Sequence, residues 1–92
     1  MLINDDAIWK ALADPTRREI LETLARESVT TGSIVERFSP GLVRTAVMKH
    51  LDVLEAARLI RVERVGRTRR NHLERRSLAN VAGWLEKRVS GH

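Results

Sequence analysis

Five side chains between residues 44 and 52 fall on one side of a segment that repeats with the period of an α-helix. This side carries cationic, hydroxyl and acceptor groups and one flexible thioether: Arg44, Thr45, Met48, Lys49 and Asp52. The apolar residues of the segment lie on the other side, three or four positions apart: Val43, Val47, Leu51 and Leu54. The cationic, hydroxyl and acceptor groups of the polar side are suited to binding base edges and phosphates. The pattern predicts a helix over about 43–56 whose polar face contacts nucleic acid.

Positive charge is concentrated just after this segment. The whole chain has a net charge of +5, and residues 58–76 hold eight arginines, no lysine and only two glutamates. The arginines are Arg58, Arg61, Arg64, Arg67, Arg69, Arg70, Arg75 and Arg76. Because the guanidinium group forks onto phosphate oxygens, this patch favours nucleic-acid binding over a basic surface that only keeps the protein soluble.

The composition limits the other kinds of site. A chain of 92 residues is expected to form one domain, 1–92, with a small core. The absence of cysteine excludes disulfides and thiolate metal sites. No signal-peptide pattern and no apolar run of membrane-spanning length occurs, so we expect a cytoplasmic protein without membrane contact. No nucleophile turn, phosphate loop or metal motif organises the Ser, His and acidic residues, so we expect neither an enzyme nor a cofactor.

Capping residues divide the first forty positions into three helices. We expect these helices over about 7–13, 15–27 and 31–38, with residues 28–29 as a short link. Each helix begins beside a side-chain oxygen that can accept from free backbone N–H groups: Asp5 or Asp6, then Asp14 before Pro15, then Thr30 or Thr31.

The third helix and the helix of residues 43–56 are joined by a short turn, 39–42, that contains Gly41. Two helices joined in this way form a helix-turn-helix, here about 31–57. Alternation then replaces the helical period and predicts strands near 59–64 and 69–73, joined through Gly66. This hairpin, about 59–73, is the predicted wing. Its tip can reach phosphates or the minor groove with Arg64, Arg67, Thr68 and Arg69.

Ser77 is suited to cap a last helix, about 77–89, whose apolar stripe is wider than a small core needs. Gly83 costs about 1 kcal/mol inside a helix, which is easier to understand if a second backbone approaches there. We therefore expect a two-fold dimer through the first and last helices. The predicted interface residues are Ile8, Trp9, Leu12, Leu78, Val81, Ala82, Trp84, Leu85 and Val89. The alternative is that the two tryptophans complete the core of one subunit.

Three blocks of residues carry a resemblance to a known family. They are residues 12–21, which include Asp14-Pro15-Thr16-Arg17-Arg18, then residues 44–55, then residues 66–69. In this order and spacing the chain resembles the ArsR/SmtB family of bacterial winged-helix repressors. The resemblance implies a mostly α fold with a small β-hairpin (α+β), a winged helix-turn-helix in the order α-α-α-α-β-β-α. It also implies a dimer with the first and last helices at the interface, and repression by operator binding.

The resemblance matches five residues to the positions that enter the major groove: Arg44, Thr45, Met48, Lys49 and His50. For His50 the sequence leaves two roles open, because the residue lies beside Leu51 at the edge of the apolar face. It either contacts a phosphate or base, or packs as a partly buried side chain.

Three places depart from the family pattern. Val43 stands where the family has a Ser cap, and Arg58 stands where it has a Gly in the left-handed region. Arg70 and Asn71 lie near the position of a common aromatic residue. Metal-sensing members carry Cys in the third helix, or Asp and His in the last, and this chain has neither set. It therefore resembles the metal-independent branch, and we expect no metal.

Together these features predict a sequence-specific DNA-binding regulator that forms a homodimer and acts as a repressor, with its own gene among the candidate targets. Two recognition helices would enter successive major grooves about 34 Å apart, so the operator would be an inverted repeat in double-stranded DNA. The alternative function is a winged-helix module that binds a protein or RNA.

Overall fold

The computed structural model describes residues 6–91, which fold into five helices and three strands. The helices are α1 (Asp6–Ala13), α2 (Pro15–Arg26), α3 (Thr31–Phe38), α4 (Arg44–Ala56) and α5 (Arg75–Val89). The strands are β1 (Val29–Thr30), β2 (Ile60–Val65) and β3 (Thr68–Leu73). The predicted fold class is confirmed: α3 and α4 form the helix-turn-helix, and β2 and β3 form the wing. The cap expected at Asp5 lies outside the described residues.

Side-chain caps fix the starts of α2 and α3. The carboxylate of Asp14 accepts a hydrogen bond from the Arg17 N–H at 3.0 Å, and Pro15 occupies the first turn. At the next helix, the hydroxyl oxygen of Thr30 accepts from the Ser33 N–H at 3.1 Å. Each cap satisfies an N–H group that has no partner within the helix. Both predicted helix starts are confirmed.

Removal of the Asp14 cap is expected to weaken the fold. Asp14→Ala should lower the free energy of unfolding by about 1 kcal/mol, because the N–H of Arg17 loses its acceptor. Chemical denaturation at neutral pH measures this change. Asp14→Asn is the control. An Asn side chain also caps well, so the free energy of unfolding of this variant should fall much less.

The same carboxylate gives the stability a pH dependence. The hydrogen bond from the Arg17 N–H lowers the pKa of Asp14, partial burial opposes this effect, and the positive charge of Arg17 lowers the pKa further. A carboxyl group with a lower pKa in the folded chain stabilises the fold above its ordinary pKa, and this contribution is lost as the pH falls through the folded pKa. The advantage of the natural protein over Asp14→Asn should therefore shrink below about pH 4; an advantage that is constant down to pH 2 would contradict this origin.

The core is built around α4. Its buried residues Val47, Leu51 and Leu54 belong to one apolar cluster with Ile20 of α2 and Ile34 of α3. Burial of these side chains supplies most of the free energy that holds α4 in place. The assignment of Val43 to this face was wrong, because Val43 is the N-cap residue, lies before the first helical turn, and is 66% exposed.

The link expected at residues 28–29 is corrected by the structure. Val29 and Thr30 form β1, which pairs with β3 in an antiparallel sheet of order β1-β3-β2. Asn71 of β3 is fully buried, and its amide donates to the Val29 carbonyl at 3.3 Å and to the Thr31 hydroxyl at 3.0 Å. Asn71 thus ties the wing to the start of α3, near the place where the resemblance implies an aromatic side chain.

The last helix also begins earlier than expected. The cap was placed at Ser77, whereas α5 starts at Arg75 with Glu74 as its N-cap. Two contacts from distant parts of the chain hold this start. The Glu74 N–H donates to the Leu59 carbonyl at 2.9 Å, and the Arg75 guanidinium donates to the Ala25 carbonyl at 3.1 Å.

None of the helices between residues 6 and 91 has the length and apolar character needed to cross a membrane.

Candidate nucleic-acid interface

The polar face of α4 is open to solvent. Arg44, Thr45 and Lys49 are exposed, as predicted for side chains that would meet DNA. Met48 differs from them because it is half-buried and packs against the core cluster. The face therefore presents two cations and a hydroxyl, with a thioether at its inner edge.

The first turn of α4 lacks a side-chain cap. Val43 is the N-cap residue and its side chain makes no capping hydrogen bond. Val43→Ser should therefore raise the free energy of unfolding by about 1 kcal/mol, because a hydroxyl group can accept from an N–H of the first turn. The side chain is mostly exposed, so little core burial is lost. Thermal or denaturant unfolding measures the gain, and Val43→Ala is the control; equal stability of the two variants would contradict the effect.

The exit from α4 turns the chain into the wing. Arg58 adopts a left-handed conformation with φ 61°, so the left-handed backbone expected at this position is present although the residue is not a glycine. The Leu59 N–H then donates to the Leu54 carbonyl at 3.0 Å, and β2 begins at the next residue. The left-handed residue thereby connects α4 directly to the hairpin.

The wing is a tight hairpin. Val65 pairs with Thr68, so Gly66 and Arg67 form a two-residue turn in which Gly66 has φ 63°. Arg64, Arg67 and Thr68 are exposed, and Arg69 is half-buried with its Nε atom buried and unpaired. The four predicted tip residues are thus brought together at one end of the sheet.

The arginines of the basic segment differ in their partners. Arg61 pairs with Glu74 at 3.4 Å, and Arg70 donates to the Ser28 carbonyl at 3.0 Å. At the tip, no ion pair or hydrogen bond to residues 6–91 engages Arg64, Arg67 or Arg69. Arg44 and Lys49 of α4 likewise make no ion pair and no hydrogen bond through their side chains to residues 6–91. Unpaired guanidinium and ammonium groups are available to phosphates.

Sequence reasoning missed a polar chain that anchors the wing. His72 of β3 contacts the Ser28 hydroxyl oxygen through Nδ1 at 2.7 Å and the Glu63 carboxylate through Nε2 at 2.9 Å. The strand register carries a partial signal, because a two-residue turn at 66–67 makes Glu63 and His72 diagonal neighbours on one face. Nothing local in the sequence indicates Ser28, whose contact spans 44 positions.

His50 lies on the flank of α4 that faces the start of α2. Its side chain is 20% exposed, its Nδ1 atom lies 3.2 Å from Arg17 Nη1, and the nearest Asp14 oxygen is 3.9 Å away. The packing role left open by the sequence is therefore present. Contact of His50 with DNA remains a prediction.

The residues predicted for the dimer interface fall into two sets. Ile8 and Val81 are buried within the subunit, and Leu12 and Leu78 are half-buried against its core. The exposed set lies on α5: Ala82, Leu85 and Val89. The two tryptophans are half-buried and lie between these sets. Trp9 of α1 and Trp84 of α5 contact each other with ring centroids 5.5 Å apart.

Within residues 6–91, no three His, Asp or Glu side chains come together in an arrangement that could hold a metal ion.

Comparisons with known proteins agree with this geometry. A profile of the helix-turn-helix domain family matches residues 12–63. The chain is 39% identical to the uncharacterized HTH-type transcriptional regulator YuzN of Bacillus subtilis, over 90% of this chain and 97% of the relative. It is 32% identical to the transcriptional repressor SdpR of the same organism, over 85% of this chain and 84% of the relative.

A solved structure extends the match to three dimensions. The crystal structure of an ArsR family transcriptional regulator superposes with a TM-score of 0.84 at 33% identity and covers 92% of this chain and 91% of that one. The fold and the comparisons together define a winged helix-turn-helix protein of the transcription-regulator class. The chain belongs to the ArsR family of DNA-binding transcriptional regulators.

Proposed function

We propose that the protein is a homodimeric repressor that binds an inverted-repeat operator in double-stranded DNA. The observation that carries the proposal is the placement of five cations that have no partner among residues 6–91, two on α4 and three at the wing tip: Arg44, Lys49, Arg64, Arg67 and Arg69. In this proposal, residues 31–57 read the major groove and residues 59–73 contact the flanking backbone. The described chain serves as one DNA-binding domain in the cytoplasm.

The division of labour follows from the chemistry of the groups. The side chains of Arg44, Thr45 and Lys49 project from a rigid helix and would discriminate between base pairs. The wing arginines would bind phosphates and supply affinity that depends little on sequence. Met48 lies at the inner edge of the helix face, where its thioether would contact an apolar base edge such as a thymine methyl group.

Dimerisation is supported by the poor packing of α5. Val81 is the only buried residue that this 15-residue helix contributes. Leu85 is 45% exposed and Val89 is 85% exposed, and a Cβ atom added at Gly83 would meet nothing within 4 Å. The molecule is elongated, with extents of 47, 27 and 21 Å along its three principal axes. An apolar helix face left open in so small a domain is naturally covered by the same face of a second copy.

A selection experiment tests the proposed function. Random duplex DNA is passed over the full chain at moderate salt, and the bound fragments are sequenced. We expect a two-fold symmetric motif whose half-sites are centred about one helical turn apart. A reporter gene placed behind the motif should be less active when the protein is present.

The alternative, a module for protein or RNA, makes the opposite prediction. Failure to enrich any duplex motif, together with tighter binding of an RNA hairpin at the same salt, would replace the proposed function. An enriched motif that raises reporter activity would keep the DNA site and overturn repression.

A further inference from the structure

Arg17 is connected to two elements besides its own helix. Its Nε atom donates to the Ala11 carbonyl at 3.0 Å, and its Nη2 atom donates to the Lys10 carbonyl at 2.7 Å, so it binds the last turn of α1. Its remaining nitrogen, Nη1, lies 3.2 Å from Nδ1 of His50 on α4. One half-buried guanidinium therefore spans from the end of α1 to the recognition helix.

This contact determines which ring nitrogen of His50 carries the proton. A guanidinium group has donors only, so Nδ1 of His50 must accept and must be unprotonated. In a neutral ring the proton then lies on Nε2. The Asp14 oxygen, at 3.9 Å from Nδ1, is too distant to form a competing hydrogen bond.

The second ring nitrogen is left available. Nε2 of His50 has no hydrogen-bond partner among residues 6–91. It is also not a buried atom, because the buried polar side-chain atoms without a partner in these residues are Arg69 Nε and Asn71 Oδ1. Residue 50 follows Lys49 directly but sits on the flank of α4, away from the centre of the exposed face. At the edge of a helix in the major groove, the group within reach is the sugar-phosphate backbone.

We propose that Arg17 is a positioning residue for DNA binding: it orients His50 so that Nε2–H donates to a backbone phosphate. This inference rests on the proposed function and adds a contact to it. Arg17 itself touches no DNA and acts through the ring that it holds. The same guanidinium binds α1, so a displacement of α1 would be passed to a DNA contact of α4.

A double-mutant cycle tests the coupling. The duplex recovered by selection is titrated with the natural protein, Arg17→Gln, His50→Ala and the double variant. Loss of one hydrogen bond to a charged phosphate in each subunit should weaken binding by about tenfold or more for each single variant. The double variant should bind no more weakly than His50→Ala alone. The dependence of affinity on salt should be unchanged in Arg17→Gln, because loss of a direct phosphate contact would reduce the salt slope by about one unit for each subunit.

Arg18→Gln is the matched control. Arg18 is the next residue, has the same charge, and also donates to an α1 carbonyl, that of Leu12 at 2.8 Å, but it has no contact with His50. Its replacement should leave operator affinity within about twofold, which is close to the precision of such titrations. Unfolding curves of both arginine variants separate a loss of stability from a loss of binding.

Two conservative variants at position 50 give an answer even if Arg17→Gln does not fold. The amide of His50→Gln reaches the place of Nε2 and should restore part of the affinity. His50→Asn places its amide near Nδ1, keeps an acceptor for Arg17 and lacks the outward donor, so it should bind as weakly as His50→Ala.

Three outcomes would overturn the inference. Additive losses in the cycle, a reduced salt slope in Arg17→Gln, or natural affinity in His50→Asn would each remove the link between Arg17, His50 and phosphate. In these cases the natural protein still binds its duplex and the proposed function stands. If the natural protein binds no duplex, the proposed function fails and this inference fails with it.

Discussion

Leu85→Lys is expected to give a monomer that binds the selected operator roughly a hundredfold more weakly than the natural protein, because the second half-site contact is lost. Leu85 is 45% exposed on the open face of α5, where a second subunit would cover it. A buried ammonium group without a partner strongly opposes association. The added positive charge would by itself favour DNA, so a loss of affinity must come from loss of the dimer. Sedimentation and a DNA titration measure both effects.

Glu22→Gln is the control for this prediction. It changes the net charge by the same amount at an exposed position of α2, outside the stripe of α5 that contains Leu85 and Val89. This variant should remain dimeric and bind the operator as the natural protein does. A Leu85→Lys protein that still sediments as a dimer would show that α5 is not the interface, and weakening by both variants alike would show the same.

Lys49→Ala and Arg67→Ala are expected to weaken DNA binding in different ways. Lys49→Ala should bind the operator about tenfold or more weakly and lose its preference at particular base pairs, because it removes a donor from the face of α4. Arg67→Ala should weaken binding to operator and random duplex by similar factors, and it should reduce the salt slope by about one unit for each wing that contacts phosphate. Titrations of both duplexes at several salt concentrations measure these quantities.

Arg26→Ala is the control for the loss of a positive charge. Arg26 is exposed in the last turn of α2 and has no assigned DNA contact. Its replacement should leave both the sequence preference and most of the affinity unchanged. If all three variants lose the same factor on operator and random DNA, the assignment of base reading to α4 and phosphate binding to the wing is wrong.

The parts of the fold that could be predicted are those determined by neighbouring residues. The caps at Asp14 and Thr30 and the 3.6-residue period of α4 act within one or two turns, so the sequence shows them directly. The hairpin followed from alternation around Gly66. The exposure of Arg44 and Lys49 follows from the helical period, because they lie opposite the apolar face of α4, and the exposure of Arg64 and Arg67 follows from their place at or beside the hairpin turn.

The parts that could not be predicted depend on contacts between distant positions. The two-residue strand β1 exists because Val29 and Thr30 pair with β3, some forty positions later, and no local pattern marks so short a strand. The early start of α5 has the same origin in the Glu74–Leu59 hydrogen bond. The contact between Arg17 and His50 was also invisible, since 33 positions separate the two residues and either side chain could have faced solvent.

The contact between Trp9 and Trp84 gives the molecule a built-in optical probe. The chain has two tryptophans and no tyrosine, so nearly all of its near-ultraviolet absorption and fluorescence arises at the junction of α1 and α5. The two indole rings are tilted by 60° at 5.5 Å, and Arg88 lies over the Trp84 ring at 4.1 Å. The proposed association of two subunits through α5 can therefore be tested without a label, through the emission maximum and the circular dichroism of this one pair of chromophores.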